Sequence, residues 1–117
     1  MQNNELKNKI LYFYKNNISM TKPEGGEFVI SNIGYTKIGD QKVEGFQYSG
    51  INKYVPFNTL YECYEQLNKT GLLSREWFRK NFTFEHSSRP CNFSTIGSIF
   101  VKLEIAEYEK NGDYKKI

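Results

Sequence analysis

The sequence predicts an α+β fold in a single compact domain, an N-terminal helix and β-hairpin region joined to three helices and a closing β-hairpin. Three observations carry this expectation. Leu6, Ile10 and Phe13 recur at helical spacing near the start of the chain. Residues 27–48 are rich in branched and aromatic side chains arranged around Gly39-Asp40. Asn92–Leu103 reads as an amphipathic helix that runs into Ile105–Ile117, a hairpin pattern around Asn111-Gly112. A chain of 117 residues suits one domain, and such a chain buries roughly two-thirds of its unfolded surface. Residues 1–57 and 58–117 read as its two subregions.

The first helix is expected from Glu5 to about Asn17. Leu6, Ile10, Phe13 and Asn17 share one face, Leu11 and Tyr14 widen the stripe, and Lys7, Lys9 and Lys15 face water. Asn16 to Gly26, with Pro23 and Gly25-Gly26, reads as loop. In the β-region a two-residue turn at Gly39-Asp40 sets Tyr35 opposite Glu44, Thr36 opposite Val43, Lys37 opposite Lys42 and Gly34 opposite Gly45. The paired glycines leave a bare spot that a bulge or strong twist explains more simply than a ligand does. Ser49–Phe57 leads back to the core, with Tyr54-Val55 as a short edge strand ended by Pro56.

Thr59-Leu-Tyr-Glu62 has the form of a capping box, opening a helix that buries Leu60, Cys63, Tyr64 and Leu67 and stops at Gly71. Ser74 caps a shorter helix, Arg75 to about Phe82, anchored by Trp77 and Phe78. Thr83–Cys91 shows no periodicity and contains Pro90, so a loop is expected. The last helix starts at an Asn92 or Ser94 cap. It carries Phe93, Ile96, Phe100 and Leu103 on its core face, Ile99 beside them, and Ser94, Thr95, Ser98 and Lys102 on the other. A type I′ turn at Asn111-Gly112 then pairs Lys110 with Asp113, Tyr108 with Lys115, Glu107 with Lys116 and Ala106 with Ile117.

Composition narrows the function classes. Net charge is +3, split as 7 basic minus 5 acidic (+2) in residues 1–58 and 9 minus 8 (+1) in residues 59–117. That permits nucleic-acid binding without demanding it. The cysteines, Cys63 and Cys91, are too few and too isolated for a disulfide scaffold. No apolar run approaches the ~20 residues of a membrane span, and the N-terminus lacks the form of a secretory signal. A cytoplasmic protein with no membrane partner is expected. Richness in Lys, Asn, Ile and Tyr resembles coding by an AT-rich genome such as that of a bacterium or phage.

No cofactor, metal or catalytic set is expected. The lone His86 has no identifiable Ser or Asp partner, metal-ligand spacings are missing, and the glycines match no phosphate-loop pattern. An enzyme is not expected.

Helix–helix–helix–hairpin order over about residues 58–117 resembles winged helix-turn-helix domains, through topology and turn chemistry and without a family-specific motif. The resemblance makes Asn92–Leu103 the recognition-type helix and the hairpin a wing, and it implies a small non-enzymatic DNA-binding protein. It would be a transcription regulator or part of a bacterial or phage defence or mobile-element system. Candidate contacts to duplex DNA are Arg75, Arg79, Lys80, Arg89, Ser94, Thr95, Ser98, Lys102, Lys110 and Lys115. Residues 69–91 hold five basic and two acidic residues, a local +3. Against this, the outward face lacks the Arg, Asn or Gln that reads bases, and Glu104, Glu107 and Glu109 flank it.

The alternative is a protein-interaction module, such as a phage- or element-encoded inhibitor that docks on a host enzyme. Its anchors would be Tyr35, Tyr48, Tyr54, Tyr108 and Tyr114. A small-molecule sensor using the Gly34/Gly45 spot is a third option. Winged-helix regulators are often dimers, but no heptad or exposed apolar helix declares an interface.

Overall fold

The computed structural model describes residues 1–49 and 53–117. The three residues between them fall in the stretch expected to lead back to the core, and that part of the expectation lies outside the described residues. The first helix, α1 (Asn3–Lys15), buries Leu6, Ile10 and Phe13 as their spacing requires. Asn17 does not continue the stripe, because it lies beyond the helix end at φ 49. The segment expected as loop instead contains a small ladder, β1 (Met20–Thr21) against β2 (Glu27–Phe28). Gly25 and Gly26 turn it at φ 91 and 83, conformations that L side chains rarely adopt. Met20 and Phe28 hold it down because both are buried in the core.

β3 (Ile30–Ile38) and β4 (Gln41–Tyr48) form the expected hairpin in the expected register, Gly34 opposite Gly45 included. β5 (Tyr54–Pro56) lies on the far side of β4 as an edge strand. The bare spot is filled from within the chain. Tyr54 lays its phenol across the ribbon, with its hydroxyl 3.0 Å from the Gly34 carbonyl and 2.7 Å from that of Val43. A Cβ on Gly45 would sit within 2.8 Å of that hydroxyl.

α2 (Phe57–Thr70) starts two residues before the expected capping box. Pro56, already extended and without an N–H, stands at the N-cap, so Thr59 lies inside the helix with its hydroxyl turned to the core. The apolar face and the left-handed Gly71 are as read from sequence. β6 (Leu72–Leu73) follows, then α3 (Arg75–Asn81), where the Ser74 hydroxyl accepts from the Trp77 amide. Residues expected as loop form α4 (Thr83–Ser88). A helix of six residues has no intrinsic stability; buried Glu85 holds this one through side chains on other helices.

α5 (Cys91–Lys102) is the axis of the molecule. Neither Asn92 nor Ser94 caps it, because both lie inside the helix and Pro90 precedes it. Every residue from Asn92 to Phe100 is buried.

The closing hairpin, β7 (Ala106–Tyr108) and β8 (Tyr114–Lys116), departs from the expected register by one residue, pairing Ala106 with Lys116, Glu107 with Lys115 and Tyr108 with Tyr114. The turn is a three-residue loop, closed by Gly112 N–H to Glu109 O and Glu109 N–H to Asp113 O, with Gly112 at φ 94. Such a turn with a left-handed glycine is the common alternative to the two-residue type. A slip of one reverses which side chains face the core, and here it puts Tyr114 inside, fully buried. β6 pairs with β8, giving the order β6-β8-β7.

The Tyr114 ring occupies the space where Gly97 of α5 has no side chain; a Cβ there would overlap the ring. In an exposed helix Gly→Ala gains about 1 kcal/mol. Gly97→Ala is instead expected to destabilise by about 1–3 kcal/mol, the usual effect of overpacking, read from urea unfolding midpoints. A neutral or stabilising result would refute the contact.

Candidate functional site

The residues expected to touch DNA do not form one surface. Ser94, Thr95 and Ser98 are 7%, 0% and 3% exposed, so the face expected to enter a groove is covered by the protein itself. The physical reason is that helical hydroxyls can bond their own backbone. Ser98 donates to the Ser94 carbonyl at 2.7 Å and Ser94 to the Cys91 carbonyl at 3.2 Å. Lys102 is exposed near the end of α5, in a hollow shared with Ser19, Thr21, Val101 and Glu104, whose carboxylate opposes a phosphate.

The remaining cations are also partly engaged. Arg75 stacks its guanidinium 4.7 Å from the centre of the Phe93 ring. Lys80 pairs with Glu76 at 3.2 Å on the same exposed helix face. Arg89 is half-buried, with Nη1 turned inward and without a hydrogen-bond partner among the described residues. Arg79, Lys110 and Lys115 are exposed. One link brings the hairpin to this end of the molecule: the Arg75 amide donates to the Asp113 carboxylate at 3.0 Å. Asp113, expected opposite Lys110, thus serves the first turn of α3, where negative charge is favoured.

The polar chemistry that the sequence did not announce lies inside, where α2, α4, α5 and the β3-β4-β5 sheet meet. Glu85 accepts from the Thr59 hydroxyl through one carboxylate oxygen and from the Asn92 amide at 3.0 Å through the other. Asn92 also donates to the Tyr54 carbonyl at 2.9 Å and accepts from the Tyr48 phenol at 2.8 Å. One buried network therefore joins β4, β5, α2, α4 and α5. Its members read from sequence as a helix cap, a capping-box threonine and a loop glutamate. None of them carries a local signal for burial. His86 Nδ1 and Thr95 Oγ1 are also buried without a hydrogen-bond partner among the described residues.

Burial pushes the phenols of Tyr48, Tyr54 and Tyr114 up to about 12. Burial likewise drives the Cys63 thiol well above its usual value, which holds it in the unreactive thiol form. Three of the five tyrosines expected as interface anchors, Tyr48, Tyr54 and Tyr114, are thus core residues, while Tyr35 and Tyr108 are 62% and 45% exposed. Tyr12 and Phe84 join them on the surface at 59% and 63%.

Among the described residues no three His, Cys, Asp or Glu side chains are grouped to hold a metal ion, and no helix is long and apolar enough to cross a membrane. No protein-family model matches the chain, nor does any curated protein or solved structure.

Asn92→Ala leaves the Glu85 carboxylate and the Tyr48 phenol short of partners, so a loss of about 3 kcal/mol is expected. Ser87→Ala on exposed α4 surface should stay within about 0.5 kcal/mol. Equal effects in denaturant unfolding would dissolve the network argument.

The raised groups also fix an alkaline limit. Unfolded, the thiol and phenols release protons near pH 9 and 10; folded, the three phenols hold theirs to about pH 12. The stability they contribute is whole below about pH 9 and is lost as pH rises towards 12. Urea midpoints should fall across that window, and a rising midpoint would contradict the burial.

Proposed function

We propose that this chain is a non-enzymatic protein-docking module, a winged-helix-like arrangement in which the recognition-type helix has become the core. The observation that carries the reading is the burial of every residue of α5 from Asn92 to Phe100. A helix that reads a major groove needs one face free for base edges, and α5 has none over that span. The resemblance itself rests on α2, α3, α5 and the closing hairpin, with β6 tying the hairpin to the helices. What the surface offers instead is exposed aromatic area at Tyr12, Tyr35, Phe84 and Tyr108, the side-chain type that anchors protein interfaces. A small protein of this kind fits an inhibitor or adaptor that acts by occupying a target.

Duplex DNA is the second reading. It keeps support from the exposed side chains of Arg79 and Lys110, and from the hydrogen bond of the Arg75 amide to Asp113 that ties the hairpin to the first turn of α3. Contacts from these side chains would grip phosphate without reading sequence.

The two readings separate in solution. Fluorescence anisotropy with a ~20-base-pair duplex at roughly 50 mM salt is expected to show no binding. Nuclease-treated co-purification is expected to retain a stoichiometric protein. Duplex binding that weakens steeply with salt and is lost in Arg79→Glu/Lys110→Glu would overturn the docking reading in favour of DNA.

A further inference from the structure

The β3–β4 ribbon runs past the sheet that supports it. β5 reaches β4 only from Gln47 to Gly45, where Pro56 ends the pairing. Beyond that point Tyr35–Ile38 and Gln41–Glu44 pair only with each other. β3 is the outer strand of its sheet, so its far edge has no strand partner among the described residues. Unpaired backbone donors and acceptors along such an edge are a template for another strand.

The side chains along this ribbon are specific. Directly opposed residues share a face, as do residues two apart, so Tyr35, Lys37, Lys42 and Glu44 stand together. Lys37 and Lys42 are both exposed and directly opposite, a like-charge pair that costs stability in the free protein. Glu44 cannot relieve them because Lys7 of α1 takes its carboxylate. Asp40, in the turn, forms no ion pair among the described residues. Tyr35 lies open beside them, with the Lys42 ammonium 4.8 Å from its ring centre. Lysines on an edge strand commonly guard against aggregation. Lys42 lies on β4, which is itself open over Gln41–Glu44, so guarding accounts for both lysines but not for the exposed Tyr35 ring beside them.

We infer that the free edge of β3 receives an extended acidic segment of the partner protein, added as a strand. Its carboxylates would settle beside Lys37, with the Lys42 charge one strand further in, and an apolar or aromatic side chain would rest on Tyr35. Main-chain hydrogen bonds supply affinity in this mode and the side chains supply choice. Two cations are too few for a phosphate-tracking stripe, and a duplex makes no use of an open strand edge. A second copy of this chain is disfavoured because it would bring Lys37 and Lys42 against their own kind. The inference rests on the docking reading above and names the chemistry of its target.

The test uses a fluorescein-labelled peptide of about eight residues, Thr-Glu-Thr-Val repeated, which sets Glu and Val two apart on one strand face. Binding is expected, with about a tenfold loss in Lys37→Glu/Lys42→Glu and a similar loss when alternate peptide amides are N-methylated. Lys69→Glu/Lys116→Glu, exposed elsewhere, should bind as the parent does. Thermal unfolding of each variant, expected unchanged for exposed lysines, separates lost contact from lost fold. Absence of binding, or equal binding of the methylated peptide, overturns strand addition. So does a duplex that displaces the peptide, or a concentration-dependent dimer that excludes it. If the peptide fails while a nuclease-resistant protein partner is still retained, only the ribbon assignment falls. If the duplex binds, the docking reading falls with it.

Discussion

Tyr114 seated on Gly97 is the contact from which the C-terminal half takes its shape. The ring can reach the helix only because position 97 carries no side chain, and it then packs 5.5 Å from the Phe93 ring with its hydroxyl 3.4 Å from the Ser94 carbonyl. Placing Tyr114 inwards selects the hairpin register, because adjacent strand residues face opposite ways. That register demands a three-residue turn with Gly112 at positive φ and leaves Asp113 free to meet the first turn of α3. β6 then finds β8 within reach and closes the sheet. A single void on a helix therefore sets a turn type, a strand pairing and a helix terminus.

The N-terminal half joins the same helix from the other side. Met20, Phe28, Ile30, Phe46, Tyr48 and Val55 share one apolar cluster with Phe93, Ile96, Ile99 and Phe100. Across this apolar junction runs the Thr59–Glu85–Asn92–Tyr48 network, whose hydrogen bonds are directional where the apolar contacts are not. A buried carboxylate is tolerated only with its oxygens satisfied, so the network fixes how α4 and the β3-β4-β5 sheet sit on α5. It also explains why a six-residue helix persists between Phe82 and Arg89.

Legibility in the sequence followed the range of the forces. Elements set by local chemistry were readable: the α1 stripe, the Gly39-Asp40 hairpin with its register from Gly34 to the turn, the Ser74 cap and the Gly71 terminus. Elements set by distant partners were not. α4 depends on Glu85 meeting Thr59 and Asn92, which lie 26 and 7 residues away in sequence. The closing hairpin offered two turn types that differ by one residue, and paired charges favoured the wrong one. Opposite charges across an exposed ladder contribute only ~0.2–1 kcal/mol. Burying a tyrosine ring on a core helix contributes several times that by area alone, so the core decided the register.

The hydroxyl face expected on α5 is buried for a related reason that bears on how any Ser/Thr-rich helix face is read. A face of Arg, Lys, Asn and Gln declares itself, because those groups cannot be buried without outside partners. A face of Ser and Thr declares nothing, since each hydroxyl can turn back to a carbonyl three or four residues earlier and enter a core at small cost. Ser94 and Ser98 do this. The hydroxyls of α5 were therefore compatible with a DNA-reading surface and equally with the interior of the protein. The choice fell to their neighbours: Gly97 among them admits a tyrosine ring, and Asn92 before them joins a carboxylate. Exposed function is better sought where burial would be costly and has not occurred. On this chain that criterion selects the opposed lysines of the β3–β4 ribbon.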